Sequence, residues 1–534
     1  MNLLIPSAKL VEPQLQIDFG GVAAALLPLG GKTVGGHILD AFPERDRAVI
    51  AAHEGIEGFR THLDLDPVND VALVDVGETA SLGETILRGF DLAPHLLDAS
   101  LVINLGDTLV RNLDASGDFI VYAATEESQR WTLFRTRNGK IADLSDKRLQ
   151  SEPETWKAFV GVFGFARPRR FRELLEQGDF YDALVRYVEE AVDFRFVEAA
   201  DWLDCGHADN FYATRRRLIN TRYFNSLHVD DHTSTIRKSS ENRSKLIDEI
   251  VWATELPRPL RRFVPTVYDF STEPSAPFVE MEFYAYPSLD DCFVYARFDH
   301  DAWQKAFGRI FGLVEQFGRF GYEAPDLASD LREMYLDKTL SRIRSVLDEP
   351  PITVDHPLRV NGLDVPALTT VMNELPEVLE RAGLLQAERF AVVHGDLCFG
   401  NILFDAKHSL LKVIDPRGRF GRHLHYGDPR YDLAKLSHSA LGFYDLIVLE
   451  HAHVDQVGEG SYRLAFRATE YHDAIGAIFL RHLRRAGHDL RPIRLLESLL
   501  FLSMAPLHKD RPHRQRAMLL RGLEIYATHR KEAA

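Results

Sequence analysis

Cysteine is scarce: Cys205, Cys292 and Cys398 are the only three in 534 residues. They are odd in number and far apart, so neither a disulfide framework nor a zinc-ligand spacing can be written with them, and a reducing, cytoplasmic setting is expected. Positive charge is also short, with 63 Lys and Arg against 79 Asp and Glu and a net charge of −16. A phosphate backbone recruits surplus cations, which excludes a nucleic-acid polymer as the main partner but not a nucleotide held by a few local groups. No apolar run is long enough to span a bilayer; the longest late one, 495–507, is broken by Glu497 and Pro506. The opening MNLLIPSAKLVEP has no basic region and only a short apolar run, so no signal peptide is expected. Low-complexity segments and short-period repeats are missing too. What is there, 45% hydrophobic and 27% charged residues, is a globular composition, and the chain is long enough for two or three cores. Oligomeric state is not legible.

The most informative stretch is 390–433. Ala391-Val392-Val393 leads into His394-Gly395-Asp396, and Leu411-Lys412-Val413-Ile414 leads into Asp415. Both apolar runs read as short buried strands, so each delivers a carboxylate at or just past a strand end. Asn401 follows Asp396 by one short loop. Asp, Asn and Gly fill turns everywhere, but this order is the set that phosphoryl transfer needs. One carboxylate takes the proton of an attacking hydroxyl, while an Asn and a second carboxylate hold Mg²⁺ against phosphates.

The stretch resembles the aminoglycoside phosphotransferase, choline kinase and fructosamine kinase family, the small-molecule branch of the protein-kinase-like fold. The resemblance implies Asp396 as catalytic base, Asn401 and Asp415 as metal ligands, and Asp432 of Tyr431-Asp432-Leu433-Ala434 as a structural residue. It implies ATP and Mg²⁺ as cofactors and a small molecule as substrate. His-Arg-Asp and Ala-Pro-Glu are absent, and Pro416-Arg417 follows Asp415, which argues against a protein substrate. Cys398, inside the loop, reads as a packing residue.

Upstream, 223–229 and 233–237 read as a hairpin ending at Lys238, followed by a helix over 239–256 that carries Glu249. Lys238 and Glu249 resemble the Lys–Glu pair of that fold, with Glu241 as an alternative. Strands are expected at 264–270 and 277–284. Phe278-Val279-Glu280-Met281-Glu282-Phe283 resembles the adenine-side hinge and makes Glu282 a nucleotide-side candidate. From about 299 the chain reads as helical, with a loop or small hairpin over 355–366 and helices over 437–527. Scattered His451, His453, His472, His482 and His488 read as structural, and 508–514 as a surface helix cap or an acceptor-pocket wall.

The first half alternates apolar runs at 2–6, 71–76, 101–105, 119–124 and 159–165 with helical patterns at 82–90 and 168–176. Such alternation predicts a mostly parallel, doubly wound sheet with ligands at strand C-terminal ends. Asp107 sits at one such end, and Asp204 precedes Gly206 in a separate segment. Two carboxylates converging there suit one Mg²⁺ on a nucleotide. In order, Pro28-Leu29-Gly30-Gly31-Lys32, Ser81-Leu82-Gly83, Gly106-Asp107, the lysine segment ending at Lys147, and Trp202 to Tyr212 resemble the sugar-nucleotidyltransferase family. That resemblance implies Lys32, Ser81 and Gly83 on the nucleotide, Asp107 and Asp204 on the metal, and Lys147 on a sugar phosphate. It implies an NTP or NDP-sugar as ligand. The family's Gly-x-Gly-x-Arg loop is missing: Ser7-Ala8-Lys9-Leu10-Val11-Glu12-Pro13 has neither Gly nor Arg.

The expected fold class is therefore an α/β doubly wound nucleotidyltransferase-like domain over 1–216, then an α+β protein-kinase-like two-lobed domain over 217–534. Its small lobe would run to about 287 and its helical lobe from about 288. The expected function is ATP- and Mg²⁺-dependent phosphorylation of a sugar or amino alcohol, coupled to the first domain in making surface-polysaccharide precursors (capsule or lipopolysaccharide). Two alternatives stand: a kinase with an inert nucleotide-sugar-binding first domain, and a non-catalytic regulatory or scaffold protein.

Overall fold

The computed structural model describes residues 1–62, 71–125, 128–148, 150, 155–219, 225–230, 233–295, 298–323, 326–347, 351–352 and 354–531. The chain divides into two compact units, Met1–Leu218 with Tyr295, and Ile219–Val294 with Phe298–Ala534.

The first unit is organised on a nine-stranded sheet. Seven strands follow one another as Lys140–Asp146, Thr132–Arg137, Lys157–Phe165, Leu101–Asn104, Asn2–Ser7, Arg47–Ala52 and Val71–Asp75; Asp118–Ala124 also pairs with Lys157–Phe165 and carries Phe194–Glu198. Leu3, Leu4 and Ile5 are fully buried in the central strand, as an unbroken apolar run covered on both faces must be. Helices Leu82–Leu92, Pro168–Leu175 and Phe180–Glu190 add Ile86, Phe171 and Leu184 to a core shared with Phe163 and Phe165.

The expectation of a mostly parallel sheet is corrected: the sheet is mixed. Asn2–Ser7 runs parallel to both neighbours and Arg47–Ala52 to Val71–Asp75, but Lys157–Phe165 is antiparallel to three strands. A further antiparallel pair has a local cause: Asn138 and Gly139 both take positive φ between Thr132–Arg137 and Lys140–Asp146, a two-residue turn that returns the chain directly and dispenses with a crossover helix.

The second unit opens with a four-stranded antiparallel sheet in the order Asn225–Asp230, Thr235–Ser240, Phe278–Glu282 and Val267–Ser271. The expected hairpin is its first two strands; Tyr223, Phe224, Asp231 and His232 lie outside the described residues. Helix Arg243–Glu255 packs Leu246 and Ile250 against Val279 of this sheet. Its Trp252, 1% exposed, donates from Nε1 to the Val393 carbonyl at 2.8 Å, which ties the helix to the strand Phe390–Val392.

The rest is mainly helical, but the expectation of helices throughout 437–527 is corrected. Ala452–Gly458 and Ser461–Phe466 form a hairpin that joins Leu358–Val360 and Leu363–Val365 in a second four-stranded sheet. The period-2 alternation of Tyr462, Leu464 and Phe466 and the turn glycine Gly460, at φ +60°, outweigh the helical context on either side. Among the described residues no helix is long and apolar enough to cross a membrane.

Candidate functional site

In the second unit the site is assembled by two short β segments and one helix. The buried strand Phe390–Val392 hands over to His394-Gly395-Asp396. Gly395 sits at φ +76°, and a Cβ there would meet the Arg417 Cβ at 2.9 Å, so the turn needs glycine. Asp432, 2% exposed, clamps this turn: its Oδ2 accepts the His394 N–H at 2.7 Å and its Oδ1 the Gly395 N–H at 2.8 Å. Burial is the larger influence on Asp432 and pushes its carboxyl up to about 7 against those two bonds.

The hairpin Ile402–Asp405/Leu410–Val413 pairs Ile402 with Val413, and the Ile414 N–H donates to the Asn401 carbonyl at 3.0 Å. This register sets Asn401 beside the segment that ends at Asp415. The Asn401 Nδ2 donates to the Asp396 carbonyl at 2.9 Å and to its Oδ2 at 3.2 Å, which turns Asn401 Oδ1 away from Asp396. Asp415 is held at φ +55°, a conformation costing a non-glycine residue roughly 1 kcal/mol or more. The strained backbone sets its side chain in place: Lys238 Nζ lies 2.8 Å from Asp415 Oδ1 and 2.8 Å from both Glu249 oxygens. Burial, then the Asp415 charge, push the Glu249 carboxyl up to about 7 despite Lys238. Burial works against the Lys238 ammonium, and the two carboxylates overcome it and hold the group above its ordinary value.

Lys435 is the residue the sequence reading missed. From helix Pro429–Ala440 it places Nζ 2.9 Å from Asp396 Oδ1. Burial disfavours the Asp396 carboxylate, yet the Lys435 charge and hydrogen bond hold it below its ordinary range. The signal was present: Lys435 follows Asp432 by three residues, which on a helix shares the face that meets the catalytic turn.

Asn401 and Asp415 supply only hard oxygens beside Lys238 and the Asp396 carboxylate, a donor set that fits Mg²⁺ on a nucleotide. Glu282, the hinge candidate, is half-buried and accepts from the Tyr284 hydroxyl at 2.7 Å, which holds its carboxyl below its ordinary value. Glu241 is exposed and outside this cluster. His472 closes a capping box with Thr469, His482 meets Gln304, and His453 lies against Arg467. Arg511 and Arg514 pair with Glu450 around the start of helix Pro512–His529, the surface-cap reading. Among the described residues, no group of three or more His, Cys, Asp or Glu is arranged to hold a metal.

Residues 330–464 match the model of the phosphotransferase enzyme family. The second unit thus contains a kinase-like phosphotransferase segment. No curated protein matches the chain. Similar solved structures include an ADP-bound aminoglycoside phosphotransferase (12% identity, 57% of this chain and 92% of that chain, TM-score 0.35). They also include an inositol-1-phosphate CTP transferase from T. maritima (12% identity, 42% of this chain and 97% of that chain, TM-score 0.33). A third is a 2-C-methyl-D-erythritol 4-phosphate cytidylyltransferase from Thermus thermophilus (15% identity, 41% of this chain and 98% of that chain, TM-score 0.28).

The first unit has its own carboxylate pair. Trp202–Asp204 runs antiparallel to Thr108–Val110 with Asp204 opposite Thr108, and the Cys205 N–H donates to the Asp107 carbonyl at 2.7 Å. Asp107 and Asp204 thus meet at the end of the strand Leu101–Asn104. Gly106, at φ +82°, makes the turn; a Cβ there would be 3.2 Å from both Ile5 and the Pro6 carbonyl. Asp204 is tied down by the Gly206 N–H at 3.1 Å, His207 at 2.9 Å and Asn210 at 2.8 Å. Burial first and the Asp204 charge second push the Asp107 carboxyl up to about 7, with His207 and Lys147 opposing. Lys147 is thus near enough for its charge to act on Asp107, while its backbone N–H donates to the Trp131 carbonyl at 3.2 Å.

Three candidates have other partners. Lys32 pairs with Asp40 at 2.5 Å on the surface. Ser81 caps helix Leu82–Leu92 by accepting the Glu84 N–H. Gly83 gives room to Leu175, which a Cβ would meet at 3.2 Å. Glu12, in the segment that lacks Gly and Arg, accepts the Ala208 N–H at 2.6 Å. It thereby caps helix Ala208–Ile219 and adds negative charge next to His207.

Proposed function

We propose that the second unit transfers the γ-phosphoryl group of ATP, with Mg²⁺, to a hydroxyl of a small acceptor, and that Asp396 is its base. The observation that carries this is the position of Asp396, between Lys435 and Asn401, next to the segment that sets Asp415 on Lys238. Asp396 orients the acceptor hydroxyl and takes its proton as the oxygen bonds to the γ-phosphorus and the bond to the ADP oxygen breaks. Lys435 holds the Asp396 carboxylate in one orientation. Lys238, positioned by Glu249, is the cation for the nucleotide phosphates. Asn401 and Asp415 would hold Mg²⁺, which supplies charge neutralisation along the phosphates.

The first unit, in this reading, binds a phosphorylated or nucleotide-linked ligand at Asp107, Asp204 and Lys147. Glu12 in place of a phosphate-binding Arg favours binding over efficient nucleotidyl transfer. A kinase joined to such a unit suits the making of activated precursors of surface polysaccharides, an analogy at the level of folds. The test is the full chain with ATP, Mg²⁺ and a panel of hydroxyl acceptors, followed by ADP release and product mass. ADP release that needs an acceptor and is lost in Asp396→Asn supports the reading; turnover unchanged in that variant removes it.

A further inference from the structure

The phosphotransferase unit contains a cavity of about 850 Å³ that reaches Gly395 and Asp396, a size suited to a small ligand. Lys238, Glu249, Asn401 and Asp415 do not line it. The cavity therefore reaches the base without including the proposed nucleotide-phosphate cation or metal ligands in its wall. Its wall is cationic. Lys245, Lys338, Arg342, Arg417 and Lys435 all contribute.

Lys435 is matched by Asp396. The Arg342 Nη1 donates to the Ser503 backbone carbonyl at 2.9 Å, and the Arg417 Nη1 to the Tyr431 hydroxyl at 3.1 Å. Lys338 Nζ stands 5.9 Å from the Tyr431 ring centre. None of Lys245, Lys338, Arg342 and Arg417 has a carboxylate within ion-pair distance among the described residues. Glu333 and Asp337 also face the cavity but are exposed, and Arg419 is already paired with Asp248 at 2.9 Å. After Tyr431, the charges acting most on Lys338 are those of Arg417, Arg342 and Lys435, all cations. Three cations around one phenol, without a matching anion, leave a charge deficit that a bound anion would fill. The wall also has an irregular backbone: Arg332–Asp337 is a π-helix that runs directly into helix Lys338–Leu347, a distortion that recurs at functional sites.

We propose that this cavity is the acceptor subsite and that Lys338, Arg342 and Arg417 select an acceptor that already carries a phosphate: a phosphomonoester with a free hydroxyl. The proposal rests on the kinase reading above and names the substrate class of that site. A neutral polyol leaves the three cations unmatched, and a quaternary or primary amine is repelled by them. The phosphoryl group transferred at Asp396 would then be the second on the molecule.

The test uses the full chain with paired acceptors: glycerol and glycerol 3-phosphate, a hexose and its 6-phosphate, with choline as the cationic control. Phosphorylated members are expected to be turned over at least tenfold better in kcat/KM than their neutral twins. Lys338→Met and Arg342→Met are expected to raise KM for them 10- to 100-fold and to change KM for ATP less than threefold. Equal or better use of the neutral or cationic acceptors overturns the proposal and leaves the kinase reading standing. A direct readout separates the two ideas: binding of inorganic phosphate, followed by ³¹P line broadening. Phosphate binding weakened tenfold or more by Lys338→Met but not by Lys238→Met supports the subsite, even if no acceptor is phosphorylated and the kinase reading falls. Phosphate binding indifferent to both Lys338→Met and Arg342→Met overturns it.

Discussion

Lys435 Nζ and Asp396 Oδ1 are 2.9 Å apart, the lysine side chain 8% exposed and the carboxylate 36%. An ion pair of that kind fixes the carboxylate without burying it: Oδ1 is held by Lys435 and Oδ2 by the Asn401 Nδ2 at 3.2 Å, yet the side chain still lines the cavity. Two variants should separate these roles. Asp396→Asn should lower kcat by about 10²–10⁴ with little change in KM for ATP, since it removes the proton acceptor alone. Lys435→Met should lower kcat less and also cost stability, of the order of 1–3 kcal/mol once the solvent exposure of Asp396 is allowed for. Steady-state kinetics with urea unfolding measures both; wild-type kcat in Asp396→Asn would remove the assignment of the base.

On the nucleotide side, Lys238 is gripped by Glu249 and Asp415 together. Lys238→Met and Asp415→Ala should each weaken ATP binding, by about tenfold or more, as a charge-assisted contact to phosphate is lost. Glu249→Gln should do so less, because it only releases the lysine from its position. Calorimetric titration with the Mg²⁺ complex of a non-hydrolysable ATP analogue gives the three affinities. Undiminished binding in Lys238→Met would place the nucleotide elsewhere.

The candidate stretch was legible because it is local: His394-Gly395-Asp396, Asn401 and Asp415 lie within one hairpin and one turn. The same holds for Asp432, whose two hydrogen bonds to the turn justify the structural role expected of it. Lys338, Arg342 and Arg417 were not legible, because nothing in their own neighbourhoods distinguishes them from surface cations; only the packing of three separate elements brings them to one wall. Lys32 is a motif-like lysine whose partner in the structure, the exposed Asp40, no motif announces. The hairpin at 452–466 was lost to its surroundings, since helices on both sides made a helical reading of the whole region the simplest one.

The Tyr431 phenol makes the cationic wall visible in solution. Burial raises its pKa, but Lys338, Arg417 and Lys435 outweigh this and bring it down to about 8. Between that value and the ordinary tyrosine pKa of about 10, the folded chain has released a proton that the unfolded chain keeps, so this group adds stability as pH rises through the window. That contribution is lost as pH falls through the folded value. Absorbance at the phenolate band should show one early tyrosine near pH 8. Its transition should move up in Lys338→Met, and also on adding a phosphomonoester that occupies the cavity. A transition indifferent to Lys338→Met would mean that the cations do not act on this phenol.

The first unit poses the last test through Glu12. Its carboxylate caps helix Ala208–Ile219 at the Ala208 N–H, 2.6 Å away, in the segment where the sugar-nucleotidyltransferase family that this unit resembles carries a phosphate-binding arginine. A triphosphate brought to Asp107 and Asp204 would meet a third carboxylate there, so binding of a phosphorylated or NDP-linked ligand should be measurable and nucleotidyl transfer weak. Asp107→Ala should abolish the divalent-dependent part of that binding. Glu12→Gln keeps an oxygen for the helix cap and removes the charge; it should cost less than about 1 kcal/mol in stability and improve triphosphate binding several-fold. Equilibrium dialysis with labelled NTP and NDP-sugar, with and without Mg²⁺, reads all three chains. Rapid pyrophosphate release by the wild type, dependent on Asp107, would show that transfer does not need the missing arginine, and tighter NTP binding by the wild type than by Glu12→Gln would show that Glu12 does not oppose the phosphates.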